Sequence, residues 1–144
     1  GGIGCVIAGR LSDVYGRCLT TAGLMFISGF CAIFIGYSIE VSPIFFATVA
    51  IIWGATIVAD SGQFSAAVTE LSDQRLVGTA LTFQMAFGFG VTLLTVWLVP
   101  IIAQKSDSFQ WAFLILCPGP IIGAIAMLLL RQLDEAVLLA NGKR

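Results

Sequence analysis

The chain has 144 residues, of which 58 % are hydrophobic and only 10 % charged, with a formal net charge of -1 and no histidine. Soluble domains carry about 25 % charged residues, so this balance excludes an ordinary water-packed surface and makes a lipid bilayer the expected solvent. The small net charge leaves no basic face for nucleic acid, and the lack of imidazole removes the commonest general base and metal ligand; no catalytic centre, metal site or cofactor is expected.

In chain order, an apolar run at residues 1–8 is followed by the polar stretch GRLSDVYGRC at 9–18. Four longer apolar runs then cover about 19–38, 43–70, 77–103 and 110–131. Each supplies the roughly 20 helical residues needed to cross a hydrocarbon core of about 30 Å. The expected architecture is all-α: a polytopic membrane bundle over 1–131 and a polar tail at 132–144. The opening GGIGCVIA, without an initiator Met, is expected to be a truncated span of a larger protein rather than the product of signal-peptide cleavage. Nor is this glycine-rich start a phosphate cradle, since it lacks the Lys-Ser/Thr pair and the preceding strand.

The connections carry charge asymmetrically. Arg10, Arg17, Arg75, Arg131, Lys143 and Arg144 fall in alternate connections and the tail, whereas the connections at 39–42 and 104–109 hold only Lys105. Six basic residues against one is the bias expected when the first set, and with it the C-terminus, faces the cytoplasm. Four complete spans separate the polar stretch at 9–18 from the tail, so both belong on one side.

Within the runs, Pro43 suits a helix start and Trp97 and Trp111 suit membrane interfaces. Ser28, Ala32 and Gly36, four residues apart, form a stripe for close helix contact. Pro118, Gly119 and Pro120 are expected to bend the last span, neighbouring groups satisfying the carbonyls of Leu114 and Leu116. Leu133, Ala136, Val137 and Ala140 give the tail the spacing of a short amphipathic helix on the inner surface. Cys5, Cys18, Cys31 and Cys117 contain no C-x-x-C pair and read as packing residues.

The polar stretch at 9–18 reads as a tight loop bracketed by Gly9 and Gly16. Asp13 stands shortly before the helix that begins near Leu19, where a carboxylate is favourable, and Arg10 and Arg17 either pair with it or bind the carbonyl end of another helix. Deeper in the chain, Asp60 is the carboxylate well inside an apolar run. Thr56, Asp60, Gln63 and Ala67 share one helical face, turned away from Trp53 and Phe64. An intramembrane acid is costly unless it faces a cavity or a partner, so Thr56, Asp60 and Gln63 form a candidate cargo or proton site, with a pair between Asp60 and Arg10, Arg17 or Arg75 as the structural alternative. Ala80, Gln84, Gly88 and Thr92 line one face of the next run, and Gln84 joins the candidates as a donor to a cargo carboxylate or oxyanion.

The pattern G-R-L-S-D-V-Y-G-R resembles the signature loop of the major facilitator superfamily, G-x-L-x-D-R-x-G-R-R, which lies between the second and third helices and again between the eighth and ninth. Gly9, Leu11, Asp13, Gly16 and Arg17 match, while Val14 and Cys18 stand where basic residues are common. The resemblance implies a gating loop of Gly9, Arg10, Asp13, Gly16 and Arg17, in which Asp13 and Arg17 latch the cytoplasmic side against a helix end of the other half. Neither an arginine nor a G-P-x-x-G-G run marks the spans at 43–70 and 77–103, which places the chain in the second half of that fold, from the end of helix eight through helix twelve. ADSGQF, R-x-x-G-T-A and WAFLIL are similar to bacterial members near the nitrate/nitrite porter branch, although FGFG replaces that branch's asparagine-containing signature.

The resemblance implies secondary active transport of a small solute or ion by alternating access, coupled to protons, in a bacterial inner membrane and in partnership with a missing N-terminal six-helix half. The chain alone would then be incompetent. A membrane-embedded enzyme is disfavoured, because no two acids share a face at membrane depth. A helical scaffold or partner subunit without cargo is the alternative.

Overall fold

A computed structural model describes residues 1–106 and 109–142, with the side chains of all of these except 39, 40, 106 and 109–111. The described residues form six α-helices, α1 (Gly2–Tyr15), α2 (Arg17–Val41), α3 (Pro43–Leu71), α4 (Val77–Ser106), α5 (Phe109–Leu114) and α6 (Pro118–Leu130), and a 3₁₀ segment at Asp134–Gly142. Four segments are long and apolar enough to cross a membrane, Arg17–Ser38, Pro43–Leu71, Val77–Lys105 and Ala112–Leu130. Large apolar side chains such as Phe30, Phe83, Phe87 and Trp97 point outward. An all-helical bundle with this exterior is consistent with an integral membrane protein; Trp111 and the last two basic residues, Lys143 and Arg144, fall outside the described side chains.

The polar stretch at 9–18 is not a loop. Helix α1 continues to Tyr15 and α2 begins at Arg17, so a single residue, Gly16, turns the chain. Its backbone at φ 95°, ψ 151° is open to glycine and disfavoured for residues with a Cβ. The Gly16 N–H still closes the last turn of α1 on the Ser12 carbonyl at 3.0 Å, and the Gly16 carbonyl accepts from Thr20 N–H at 3.2 Å to start α2. Polarity therefore marked a helix end and not an irregular connection. Asp13 lies in the final turn of α1, and no acidic residue occupies the first turn of α2.

The next connection is as short. Ser42 alone separates α2 from α3; its extended backbone and its Oγ, accepting from Ile44 N–H at 3.3 Å, cap a helix with Pro43 in first place. The last apolar run is two helices. Pro118 cannot donate to the Leu114 carbonyl, which accepts instead from Cys117 N–H at 3.1 Å, while Phe113 accepts from Leu116 N–H at 3.0 Å. The chain tightens locally into i to i+3 bonds, so the carbonyl freed by proline is answered within its own strand of sequence and not by a neighbouring helix.

Helix α2 is central and packs on α1, α3, α5 and α6. Ser28, Ala32 and Gly36 are buried, as their spacing predicts. Trp53 does not point away from the bundle: its Nε1 donates to Ser28 Oγ at 3.1 Å, and its ring meets Phe113 edge-on at 6.0 Å. Phe64 also packs inward, against a core of Cys18, Ala22, Ala67, Ala124 and Met127. Trp53 and Phe64 are eleven positions apart, about three turns of α3, and share a side with Asp60 between them, so the polar and aromatic residues are not on opposite faces. Helix α1 reaches α3 through Gly4, which lies against the Ala55 carbonyl. By contrast, α4 sits at the edge, along α3 and α5, with its most apolar stretch wholly unburied.

The tail departs from the expected amphipathic helix. Ala136 and Leu139, three residues apart as a 3₁₀ turn places them, are fully buried in the core, whereas Leu133, Val137 and Leu138 are exposed. Leu139 leaves the helical region at ψ 133°, and Ala140 and Asn141 take left-handed backbone angles, so the helical repeat ends before Ala140 joins the predicted face.

Candidate functional site

Arg17 is the first residue of α2 and only 9 % exposed. A guanidinium cannot shed its charge, so burial demands partners. Its Nε donates to Glu70 Oε2 at 2.8 Å and its Nη2 to Glu70 Oε1, a two-pronged ion pair with the last full turn of α3. Its Nη1 donates to Gln63 Oε1 at 2.9 Å and, at 3.5 Å, to Ser12 Oγ on α1. Glu70 Oε2 also accepts from the Ala140 N–H at 3.1 Å. One planar cation thus ties together the ends of α1, α2 and α3, and the carboxylate it holds ties down the tail. Paired charges of this geometry are among the stronger protein hydrogen bonds.

Helix periodicity explains the convergence. Gln63 and Glu70 are seven residues apart, two turns of α3, and so share a face. Thr56, another seven residues back, is buried on the same side, and its Oγ1 donates to the carbonyls of Ile52 and Trp53 in its own helix.

The sequence candidates therefore separate into three places. Gly16, Arg17 and Gln63 meet in the cluster, with Gly9 contributing its carbonyl to Ser12 Oγ at 2.8 Å; Arg10 and Asp13 lie beside it, exposed on α1. Asp60 is half-buried on α3. It forms no ion pair with Arg10, Arg17 or Arg75, so the structural alternative suggested by the sequence is not made; the ion pair among the described residues is Arg17 with Glu70. Gln84 lies apart, in the cleft between α3 and α4, where its Oε1 is buried without a hydrogen-bond partner.

Glu70 is the residue that sequence reasoning missed. It stands at the end of an apolar run, where an acid looks solvated, and its spacing of seven from Gln63 is the signal that the two share a face.

The ion pair gathers charge at one end of the bundle. Arg75 follows α3, Arg131 follows α6, and the tail docks there through Glu70, whereas Lys105 closes the far end of α4. No known protein family, curated protein or solved structure matches the chain.

Proposed function

We propose that this chain is the second half of a major facilitator-type secondary transporter, moving a small solute or ion by alternating access with proton coupling, in partnership with a six-helix counterpart. The observation that carries this reading is the buried Arg17, paired with Glu70 immediately beside the exposed Asp13 and Arg10. Fixing the break at Gly16 against α3 gives Asp13 and Arg10 a defined position at the bundle end, from which they meet the helix ends of the counterpart. Arg17, which the resemblance casts as a latch residue beside Asp13, is held by Glu70 and Gln63 within this chain; in this reading it does not itself open and close but positions Asp13 and Arg10, which latch. The basic residues gathered at that end support a cytoplasmic orientation for it, in a bacterial inner membrane.

Asp60 is the group assigned to the coupling proton. It is a half-buried carboxylate on a spanning helix with no cationic partner among the described residues, a placement that is costly in lipid unless it serves a water-filled path.

Reconstitution of the full-length protein in proteoliposomes tests the proposal. Asp60→Asn removes gradient-driven uptake and leaves counterflow exchange, while Asp13→Asn slows both and leaves apparent solute affinity unchanged. Gradient-driven uptake unaffected by Asp60→Asn removes Asp60 from the mechanism. A complete absence of flux, with a cysteine at Gln84 unreactive toward a membrane-impermeant thiol reagent, favours the scaffold reading instead.

A further inference from the structure

An open cleft of about 550 Å³ runs between α3 and α4, with Ser61 and Ser65 on one wall and Gln84, Met85, Phe89 and Thr92 on the other. Its volume lies in the range of small-molecule sites, about 300–1,000 Å³. The polar groups facing it come in two kinds. Ser65 stands six residues before the end of α3 and Gln84 seven after the start of α4, so they lie at a similar depth on the two walls. Ser65 Oγ has no hydrogen-bond partner among the described residues, and Gln84, whose Oε1 is buried and unanswered, meets the cleft through its amide nitrogen. Both are free donors. Farther from the turn that joins the helices, Ser61 Oγ donates to the Val58 carbonyl and Thr92 Oγ1 to the Gly88 carbonyl, each at 2.9 Å; with their protons engaged, these oxygens offer lone pairs.

The lining carries no formal charge: neither a lysine or arginine nor a carboxylate is among the described residues around the cleft, and Asp60, next to Ser61 in the chain, stays outside it. All of these polar groups stand inside the spanning segments Pro43–Leu71 and Val77–Lys105. At that depth an ion of either sign would be held by neutral groups alone, and a charge without a counter-charge in so apolar a setting is costly. A neutral group that both accepts and donates finds its complement instead. Met85 and Phe89 supply a soft apolar wall for the rest of such a ligand. Resting on the transport reading and narrowing its cargo, we infer that this cleft binds an uncharged solute of the carboxamide class, its carbonyl accepting from Ser65 and Gln84, its N–H groups donating toward Ser61 and Thr92, and its apolar body along Met85 and Phe89. Gln84 then donates to a neutral carbonyl and not to the carboxylate or oxyanion that its sequence suggests.

The test uses the full-length protein purified in detergent and three probes of one skeleton, 3-phenylpropionamide, 3-phenylpropionate and 3-phenylpropylamine, titrated calorimetrically near neutral pH. Saturable binding of the amide is expected, with the anion and the cation each at least about tenfold weaker. Ser65→Ala and Gln84→Leu each weaken the amide about three- to tenfold, the worth of one hydrogen bond, and narrow its lead over both charged probes, a change of selectivity that a purely structural role would not give. The comparison of probes on the unaltered protein stands whether or not a variant folds. Equal binding of the three, as hydrophobic partition into a groove would give, preference for either charged probe, no saturable amide binding, or amide binding indifferent to both Ser65→Ala and Gln84→Leu overturns the inference. Counterflow in proteoliposomes separates the readings: exchange of a charged probe and not of the amide overturns the neutral site and keeps transport, whereas saturable amide binding without exchange of any of the three keeps the site and overturns transport.

Discussion

Arg17 and Glu70, 53 positions apart in the sequence, meet through two parallel hydrogen bonds at one end of the bundle. Their environments are unequal: the arginine side chain is 11 % exposed and the glutamate 28 %. Removing the carboxylate strands the more deeply buried charge, whereas removing the cation leaves a carboxylate that water reaches and that still accepts from Ala140. Breaking a fully buried pair costs about 3–5 kcal/mol, and partial exposure reduces this. Glu70→Leu is expected to destabilise by about 2–3 kcal/mol and Arg17→Met by about 1–2 kcal/mol. The double variant should be more stable than Glu70→Leu alone. Thermal unfolding of the four proteins in one detergent checks the order, and equal losses for the two single variants would contradict the asymmetry.

The tail hangs on the same carboxylate. Glu70 Oε2 accepts from Ala140 N–H, and Ala140 holds φ 46°, ψ 42°, angles that cost an L-residue roughly 1–2 kcal/mol in left-handed helical geometry. Glycine meets these angles without strain, so Ala140→Gly should dock the tail more firmly, by about 0.5–1 kcal/mol after its greater unfolded freedom is set against the relief. Glu70→Gln, keeping shape but losing charge, should loosen it. Amide hydrogen exchange across 134–142 reads both: slower in Ala140→Gly, faster in Glu70→Gln. Faster exchange in Ala140→Gly would mean that the left-handed turn is not what limits docking.

The sequence made the large features legible because lipid and length impose them: apolar runs of spanning length, and the Ser28, Ala32, Gly36 stripe, which is buried as its spacing requires. It failed where polarity has two meanings. Charged residues at 9–18 mark either a loop or the water-facing end of a helix, and only the single positive φ at Gly16 distinguishes them. The pairing of Arg17 was equally hidden, since acids stand at both Asp13 and Glu70 and tertiary packing selects the distant one for the buried fork. Trp53 shows the same limit: an indole belongs to either face until a hydroxyl such as Ser28 is brought within reach of its N–H.

Close helix approach gives a contrast among glycines. A Cβ on Gly4 would lie 2.7 Å from the Ala55 carbonyl oxygen, a backbone atom that cannot step aside, whereas one on Gly123 would strike the thioether end of Met25. Gly9 has open space around it. Gly4→Ala should therefore cost about 1–3 kcal/mol by forcing α1 from α3; Gly123→Ala should cost less, because Met25 has rotamers to adopt; Gly9→Ala should stabilise by about 0.5–1 kcal/mol through helix propensity. Unfolding midpoints measured together rank the three, and a Gly123→Ala loss as large as that of Gly4→Ala would show that Met25 is locked.

Helix α4 carries Lys105 in its last turn and is preceded by Arg75 in the turn after α3. A helix of 30 residues at about 1.5 Å per residue is about 45 Å long, enough to carry one end through a hydrocarbon core of about 30 Å. If α4 crosses the bilayer, the two basic residues are expected on opposite sides, Arg75 with Arg17 and Arg131, and Lys105 across from them among the described residues. On the proposed orientation, which rests on the positive-inside bias, the Arg75 side is expected to face the cytoplasm. In right-side-out vesicles of full-length protein with native cysteines replaced, a membrane-impermeant maleimide should label Lys105→Cys and spare Arg75→Cys, and inverted vesicles should reverse the pattern. Labelling of both from one side would show that α4 lies along the membrane instead of crossing it, and the reverse pattern would place the Arg17–Glu70 cluster outside the cell.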